Sequence, residues 1–204
     1  MRHAPLVFLF SSLTLTPSAV AQHGAGDGDW RFYVRAGVSG QSHESQPVGY
    51  KIYSGVGFEI AIALRLSEVF SVELSVRAES REVDGPAATG SSVSLGSIET
   101  LPINLTFLYR PLGRKGTGIQ PYLGAGLNST VVWEKSGALD STDSPATINP
   151  VIQLGASTAL SPTVAFNVDL KWNSLTTDIE GLPDPAPSVS VDPLTLAVGL
   201  GFAL

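Results

Sequence analysis

Residues 53–81 read YSGVGFEIAIALRLSEVFSVELSVRAESR. Two runs alternate with period two and meet at a short polar break, Ser67-Glu68. In the first, Tyr53 to Arg65, one face carries Val56, Phe58, Ile60, Ile62 and Leu64. The opposite face carries Gly55, Gly57, Glu59, Ala61 and Ala63. In the second, Phe70 to Arg81, Phe70, Val72, Leu74, Val76 and Ala78 oppose Ser71, Glu73, Ser75, Arg77 and Glu79. Successive side chains of a strand point to opposite faces, so the stretch reads as an antiparallel hairpin with one wholly apolar face. The other face mixes charges with glycine and alanine. A soluble sandwich turns its apolar face inward and a polar face to water. Here the charges need shelter and the apolar face needs lipid.

Six further runs repeat the scheme: Trp30–Ser39, Leu101–Tyr109, Gln120–Trp133, Pro150–Leu160, Val164–Asn173 and Leu194–Leu204. Each of the eight has about nine or more residues, the length of a membrane-spanning strand, whereas soluble strands average about 5–6. The connections alternate. Long ones lie near 40–52, 81–94, 134–148 and 175–191, and short ones at Ser67-Glu68, 111–118 and Ser161-Pro162-Thr163. Short periplasmic turns with longer outside loops mark an outer-membrane barrel. The expectation is therefore an all-β fold, an eight-stranded antiparallel transmembrane up-and-down β-barrel with both termini periplasmic. A lipocalin-like soluble barrel is the competitor, with shorter strands and an apolar pocket.

Composition agrees. Of 204 residues, 15% are charged, against about 25% in ordinary soluble proteins. There is no cysteine, hence no disulfide framework, thiolate metal site or cysteine nucleophile. The net charge of −6 argues against a nucleic-acid partner, which needs a basic face. Arg2 and His3, the apolar Leu6 to Leu15 and the Ala19-Val20-Ala21 cleavage pattern predict a secretory signal over 1–21, leaving a barrel domain over 22–204.

In an eight-stranded barrel the interior is just wide enough for side chains to fill. Gly55, Gly57, Gly124, Gly126, Gly155, Gly199 and Gly201 make room there for large neighbours. The inward charges expected are Arg31, Arg35, Glu59, Arg65, Glu73, Arg77, Glu79, Arg81, Glu99, Asp169 and Lys171. Unpaired buried charges are costly, so these must pair. The core of the network is expected in Arg35, Glu59, Glu73, Arg77, Asp169 and Lys171. A turn at Ser67-Glu68 places Glu59 near Ser75, with Glu73 and Arg77 on the diagonals, and predicts a Glu59–Arg77 ion pair open to sharing with Glu73 and with Arg35 from the first strand. Tyr33, Tyr53, Leu108 and Tyr122 are the candidate lumen-lining apolar groups. Trp30, Phe32, Phe70, Phe107, Tyr109, Trp133, Trp172 and Phe202 fall on the apolar face, most of them toward strand ends, where aromatic girdles sit.

Catalytic and metal signals are weak. His43-Glu44-Ser45 has the His-x-Ser spacing of outer-membrane lipid-A deacylases, but three adjacent loop residues do not supply a base and an orienting carboxylate. Glu82, Asp84, Asp140, Asp143, Asp178, Glu180 and Asp184 are read as solvated loop charge, with no calcium-loop spacing. Arg110, Arg114 and Lys115 form a basic patch in the second short turn. No enzyme activity, cofactor or metal is expected.

Three stretches carry a resemblance: residues 101–133, LPINLTFLYRPLGRKGTGIQPYLGAGLNSTVVW; residues 166–181, FNVDLKWNSLTTDIEG; and residues 191–204, VDPLTLAVGLGFAL. They resemble small eight-stranded outer-membrane barrels, the OmpW family above all. The PYLGAGLN run at 121–128 is shared with OmpA-like and opacity-type barrels. The family usually ends in phenylalanine after an aromatic or basic residue, whereas this chain ends Phe202-Ala203-Leu204. The resemblance implies a porin-like transport role in the bacterial outer membrane, admitting or binding small hydrophobic molecules that enter between the outside loops. The implied partners are membrane lipid, lipopolysaccharide, the barrel-insertion machinery and such a ligand. The alternative is a structural or adhesive barrel with a closed, salt-bridged interior and function carried by its loops. A lipid-modifying enzyme comes third.

Overall fold

Alternation lets every backbone group of a strand pair with a neighbour while one face stays apolar, and in lipid only a closed ring leaves no edge unpaired. The computed structural model describes residues 30–41, 51–86, 92–112, 118–137, 147–173, 175–178, 188–191 and 193–204. Its strands are β1 (Trp30–Gln41), β2 (Lys51–Ile52), β3 (Gly55–Arg65), β4 (Phe70–Pro86), β5 (Ser92–Tyr109), β6 (Gln120–Lys135), β7 (Thr147–Ala159), β8 (Val164–Asn173), β9 (Leu175–Asp178), β10 (Ser188–Val191) and β11 (Pro193–Ala203). Eight of them form an antiparallel ring in the order β4-β3-β1-β11-β8-β7-β6-β5, and pairing of β4 with β5 closes it. β2 continues the track of β3 along β4, with Ile52 opposite Val83, and β9 and β10 pair as a separate hairpin.

The faces divide as the alternation requires. β3 is buried and exposed at alternate residues, with Phe58 73% and Val56 67% exposed while Glu59 is buried. Exposed Val, Leu, Ile and Phe side chains on all eight strands form one apolar belt, which a lipid bilayer covers and water would not. At the end of the barrel with the short turns, Phe70 stacks on Phe107 and Tyr109, with centroids 5.2 and 5.4 Å apart. Trp30 and Phe202 are exposed at the same end. Among the described residues no helix is long and apolar enough to cross a membrane; the strands do the crossing.

Two short turns share one construction. Ser67 Oγ accepts from the backbone N–H of Val69 and Phe70 at 3.3 and 3.1 Å, and Ser161 Oγ accepts from Thr163 and Val164 at 3.3 and 3.0 Å. The Phe70 carbonyl also accepts from Leu66 and Ser67, so Arg65 pairs with Ser71. This turn is longer than two residues and sets a register different from that expected. Glu59 stands opposite Arg77, and Ala61 opposite Ser75.

The second long connection is a further correction. The sequence pattern places residues 81–94 in a loop, yet β4 runs to Pro86 and β5 starts at Ser92, with Pro86 opposite Ser92. At 17 and 18 residues these strands exceed the membrane-spanning length of about 9–11, so the hairpin stands clear of the bilayer. A strand end outside lipid needs no apolar face, which is why Arg81 to Gly85 lacks the expected signal. An irregularity between Val83 and Asp84 lies beside Gly96, whose φ of 133° suits only glycine. The expected signal segment 1–21, the His43–Ser45 stretch, Arg114, Lys115, Asp140, Asp143, Glu180 and Asp184 lie outside the described residues.

Candidate functional site

The inward side chains stack in layers from the short-turn end to the long-loop end. Tyr33 on β1, Leu108 on β5 and Tyr122 on β6 form the first, and all three are fully buried. Glycines admit their rings. A Cβ at Gly201 would lie 2.5 Å from Tyr33 Cε1, and one at Gly155 would overlap the Tyr122 ring. The Tyr122 hydroxyl accepts from Asn167 Nδ2 at 2.9 Å, and the Arg35 guanidinium lies 4.6 Å from the Tyr33 centroid.

Above this floor sits the main charge network. Arg35 is its hub. Its Nη1 donates to Glu59 Oε1 at 2.6 Å and to Glu73 Oε1 at 2.9 Å, and its Nη2 donates to Glu73 Oε2 at 2.8 Å. Its Nε donates to Asn167 Oδ1 at 2.7 Å, and Asp169 Oδ2 lies 3.3 Å from Nη1. Lys171 Nζ completes the set. It donates to both Glu59 oxygens at 2.8 and 2.7 Å and to Ser75 Oγ at 3.0 Å, and lies 3.3 Å from Asp169 Oδ2. Gln153 Nε2 bridges Glu73 and Asp169 at 3.0 Å each, while its own oxygen accepts from Thr106 at 2.8 Å. Every one of these groups is essentially inaccessible. Such a network is stable only because nearly every polar atom is matched in low dielectric.

The network holds three carboxylates and two cations. Glu59, Glu73 and Asp169 bring one oxygen each within 4.8 Å of one another, an arrangement that could hold a metal ion, yet Arg35 and Lys171 already supply positive charge there. A second charged layer lies nearer the long loops. Glu79 accepts from Arg77 Nε at 2.9 Å and is also bonded to Arg81 and Ser39. Its two arginines and one glutamate offset the surplus negative charge of the layer below. Between the two, Asn128 Nδ2 donates to Asn104 Oδ1 at 2.8 Å, and Asn104 donates to Ser75 at 3.3 Å.

Five of the six residues expected at the core of the network are thus brought together: Arg35, Glu59, Glu73, Asp169 and Lys171. Arg77 is not. It stands opposite Glu59 in the ladder, but its guanidinium turns to Glu79 and to the Gly37 carbonyl, 2.9 Å away. Glu59 bonds Lys171 and Arg35, so the expected Glu59–Arg77 pair is corrected, while Arg35, expected to share it, does bond both Glu59 and Glu73. Tyr53 is a second correction. It is 45% exposed beyond the end of β3, and its hydroxyl donates to Asp84 at 2.8 Å rather than lining the lumen. That bond, with the charge of Asp84, holds the Tyr53 hydroxyl above its ordinary pKa. Glu99 lies opposite Ser80, on the outward parity of Leu105 and Phe107, and leaves the interior set. Gln153 and Asn167 join the site without a signal of their own. Their inward parity is readable, but nothing in the sequence distinguishes a bridging amide from a space-filling one.

Beyond Arg81 the inward face changes character. Val83 is buried, and Leu95 and Ile98, which lie on either side of its ladder partner Gly96 on β5, are half-buried. Leu95 packs over Gly85.

The profile of the OmpW family matches residues 30–204. No curated protein sequence matches the chain significantly. Among solved structures, the outer membrane protein OprG from Pseudomonas aeruginosa superposes with a TM-score of 0.72 at 20% identity, over 89% of this chain and 98% of its own. AlkL, determined in DMPC bilayers, gives a TM-score of 0.65 at 22% identity, over 90% and 93%. The E. coli outer membrane protein W gives 0.54 at 14% identity, over 87% and 98%.

Proposed function

The chain belongs to the OmpW family of outer-membrane barrels, and from that premise we propose that it binds and admits small hydrophobic molecules at its long-loop end. One observation carries the reading. Along β4 the inward row runs Glu73, Ser75, Arg77, Glu79, Arg81 and then Val83 and Gly85. Above the Tyr33–Leu108–Tyr122 layer this row stays polar or charged up to Arg81 and turns apolar at Val83, where the β4–β5 hairpin rises above the membrane. An apolar guest gains by leaving water at Val83, Leu95 and Ile98, and meets a charged floor at Arg81 and Glu79. Passage straight down the axis would have to break that floor. In this reading Arg35, Glu59, Glu73, Asp169 and Lys171 act as a plug, and the short turns and both termini face the periplasm. Lipid and lipopolysaccharide surround the belt, and no catalytic step is involved.

The same plug favours a second reading, a closed barrel whose loops serve structural or adhesive contacts. A fluorescent apolar probe such as 1-N-phenylnaphthylamine, titrated onto the protein in lipid nanodiscs, separates the two. Saturable binding beyond that of empty nanodiscs, weakened at least tenfold by Val83→Arg, is expected. Binding no greater than that of empty nanodiscs would leave the closed barrel. Steady conductance in planar bilayers would contradict the plug in either reading.

A further inference from the structure

At the short-turn end, below the Tyr33–Tyr122 floor, lies a cavity of about 40 Å³ lined by Arg31, Arg65, Arg110, Glu68, Ser71 and Gln120 among others. These residues come from different parts of the barrel: β1, the end of β3, the turn after β5, the β3–β4 turn, the start of β4 and the start of β6. Their charges do not cancel. Three arginines face one glutamate, and Arg65 and Glu68 are both already engaged. Arg110 stands over the Tyr122 ring, 4.7 Å from its centroid, and a guanidinium held against a ring face can still donate from its N–H groups.

Ser71 supplies a second, independent observation. It is 5% exposed, it lines the same cavity, and its Oγ is buried with no hydrogen-bond partner. Buried hydroxyls are nearly always matched. An unmatched hydroxyl beside surplus guanidinium donors is what a bound oxyanion would satisfy.

We propose that this cavity is a binding site for a phosphate group, held by Arg31 and Arg110 through charge-assisted hydrogen bonds and by the Ser71 hydroxyl. Guanidinium forks match the oxygens of phosphate better than any other side chain. The space suits one compact oxyanion and its hydration, not a long guest. The phosphate can be free in solution or belong to a phospholipid headgroup bent over the barrel rim. The site lies at the opposite end from the apolar vestibule and does not depend on what binds there.

The protein extracted from membranes into a neutral detergent is titrated with inorganic phosphate by calorimetry. In parallel, it is reconstituted into nanodiscs of mixed phosphatidylglycerol and phosphatidylcholine, and headgroup contact is read from the phosphorus NMR linewidth. Each arginine bond to phosphate is charge-assisted, so Arg31→Gln and Arg110→Gln should each weaken the response about tenfold. Ser71→Ala should weaken it severalfold while leaving thermal stability equal or higher, since it removes an unmatched buried hydroxyl. Heat-shifted gel mobility identifies folded variants, and Ser71→Ala, the smallest change, keeps the test valid if an arginine variant does not fold. Saturable phosphate binding sensitive to these variants supports the free-anion source, and headgroup broadening with the same sensitivity supports the lipid source. Absence of both responses, or responses that Ser71→Ala and the arginine variants leave unchanged, overturns the proposal.

Discussion

Replacing Lys171 by Met tests the interior network most sharply, because methionine keeps most of the unbranched apolar stem and removes the ammonium with its charge and its hydrogen bonds to Glu59 and Ser75. Lys171 Nζ stands 2.7 Å from Glu59 Oε2, 3.3 Å from Asp169 Oδ2 and 3.7 Å from Glu73 Oε1. Without it, Arg35 alone faces three buried carboxylates. At an effective dielectric constant of about 20, two unit charges about 3 Å apart interact by about 5 kcal/mol, and desolvation of the pair offsets part of that. Breaking a buried pair from one side costs about 3–5 kcal/mol, and Lys171→Met should fall in that range. Glu59→Gln is the opposite case. It leaves two carboxylates against two cations, so lost hydrogen bonds of about 1.5–3 kcal/mol are partly offset by relief of the surplus negative charge. The double variant restores the original charge difference and should be more stable than Lys171→Met alone. The coupling between Glu59 and Lys171 should exceed about 1.5 kcal/mol. Because Arg77 turns away to Glu79, the Glu59→Gln and Arg77→Met cycle should give a clearly smaller coupling, below about 1 kcal/mol. The assay is urea-dependent refolding into lipid vesicles, with the folded fraction read from gel mobility without heating. If Lys171→Met lies within about 1 kcal/mol of the parent, or if adding Glu59→Gln makes it worse, the interior is hydrated and the plug does not exist.

Two further outcomes follow from the two faces of the strands and from the rim. Leu74 faces outward between Ile62 and Leu105, so Leu74→Arg should cost about 2–4 kcal/mol in the same refolding titration. Ser75→Arg should instead act by overpacking against Lys171 and Asn104, by about 1–3 kcal/mol, and equal tolerance of arginine at 74 and 75 would refute the assigned faces. At the rim, the protonated Tyr53 hydroxyl is the donor to Asp84, and its folded pKa is raised above the ordinary 10.0. The contact is therefore fully formed below pH 10 and is lost as pH rises through the raised value. The Tyr53 component of the absorbance titration, isolated by difference from Tyr53→Phe, should have its midpoint above 10 and fall back in Asp84→Asn; an unchanged midpoint in Asp84→Asn would remove the assigned bond.

The eight spanning strands, their faces and their antiparallel order are local properties. Period two is written into runs such as Val164 to Asn173, whose predicted and observed ends coincide, and lipid outside a narrow barrel forces the apolar face outward. Parity along each strand is therefore enough to mark Arg35, Glu59, Glu73, Asp169 and Lys171 as inward groups. Sequence stops helping wherever a residue's state depends on a neighbour distant in the chain. The β4–β5 extension carries no apolar face because it leaves the membrane, so pattern alone reads it as loop.

Register is the deeper case. A turn that recruits Leu66 and Val69 as well as Ser67 and Glu68 moves Glu59 from Ser75 to Arg77, and nothing in the four letters announces that geometry. Even the corrected register does not give the partners. Glu59 is opposite Arg77 along the ladder yet bonds Lys171, which is 112 residues away in sequence and reaches across the lumen from β8. Alternation fixes which way a side chain points, because it is a property of one strand. Closure of the ring decides what it meets, because in a lumen only a few side chains wide the nearest opposite charge is set by curvature and stagger of all eight strands together.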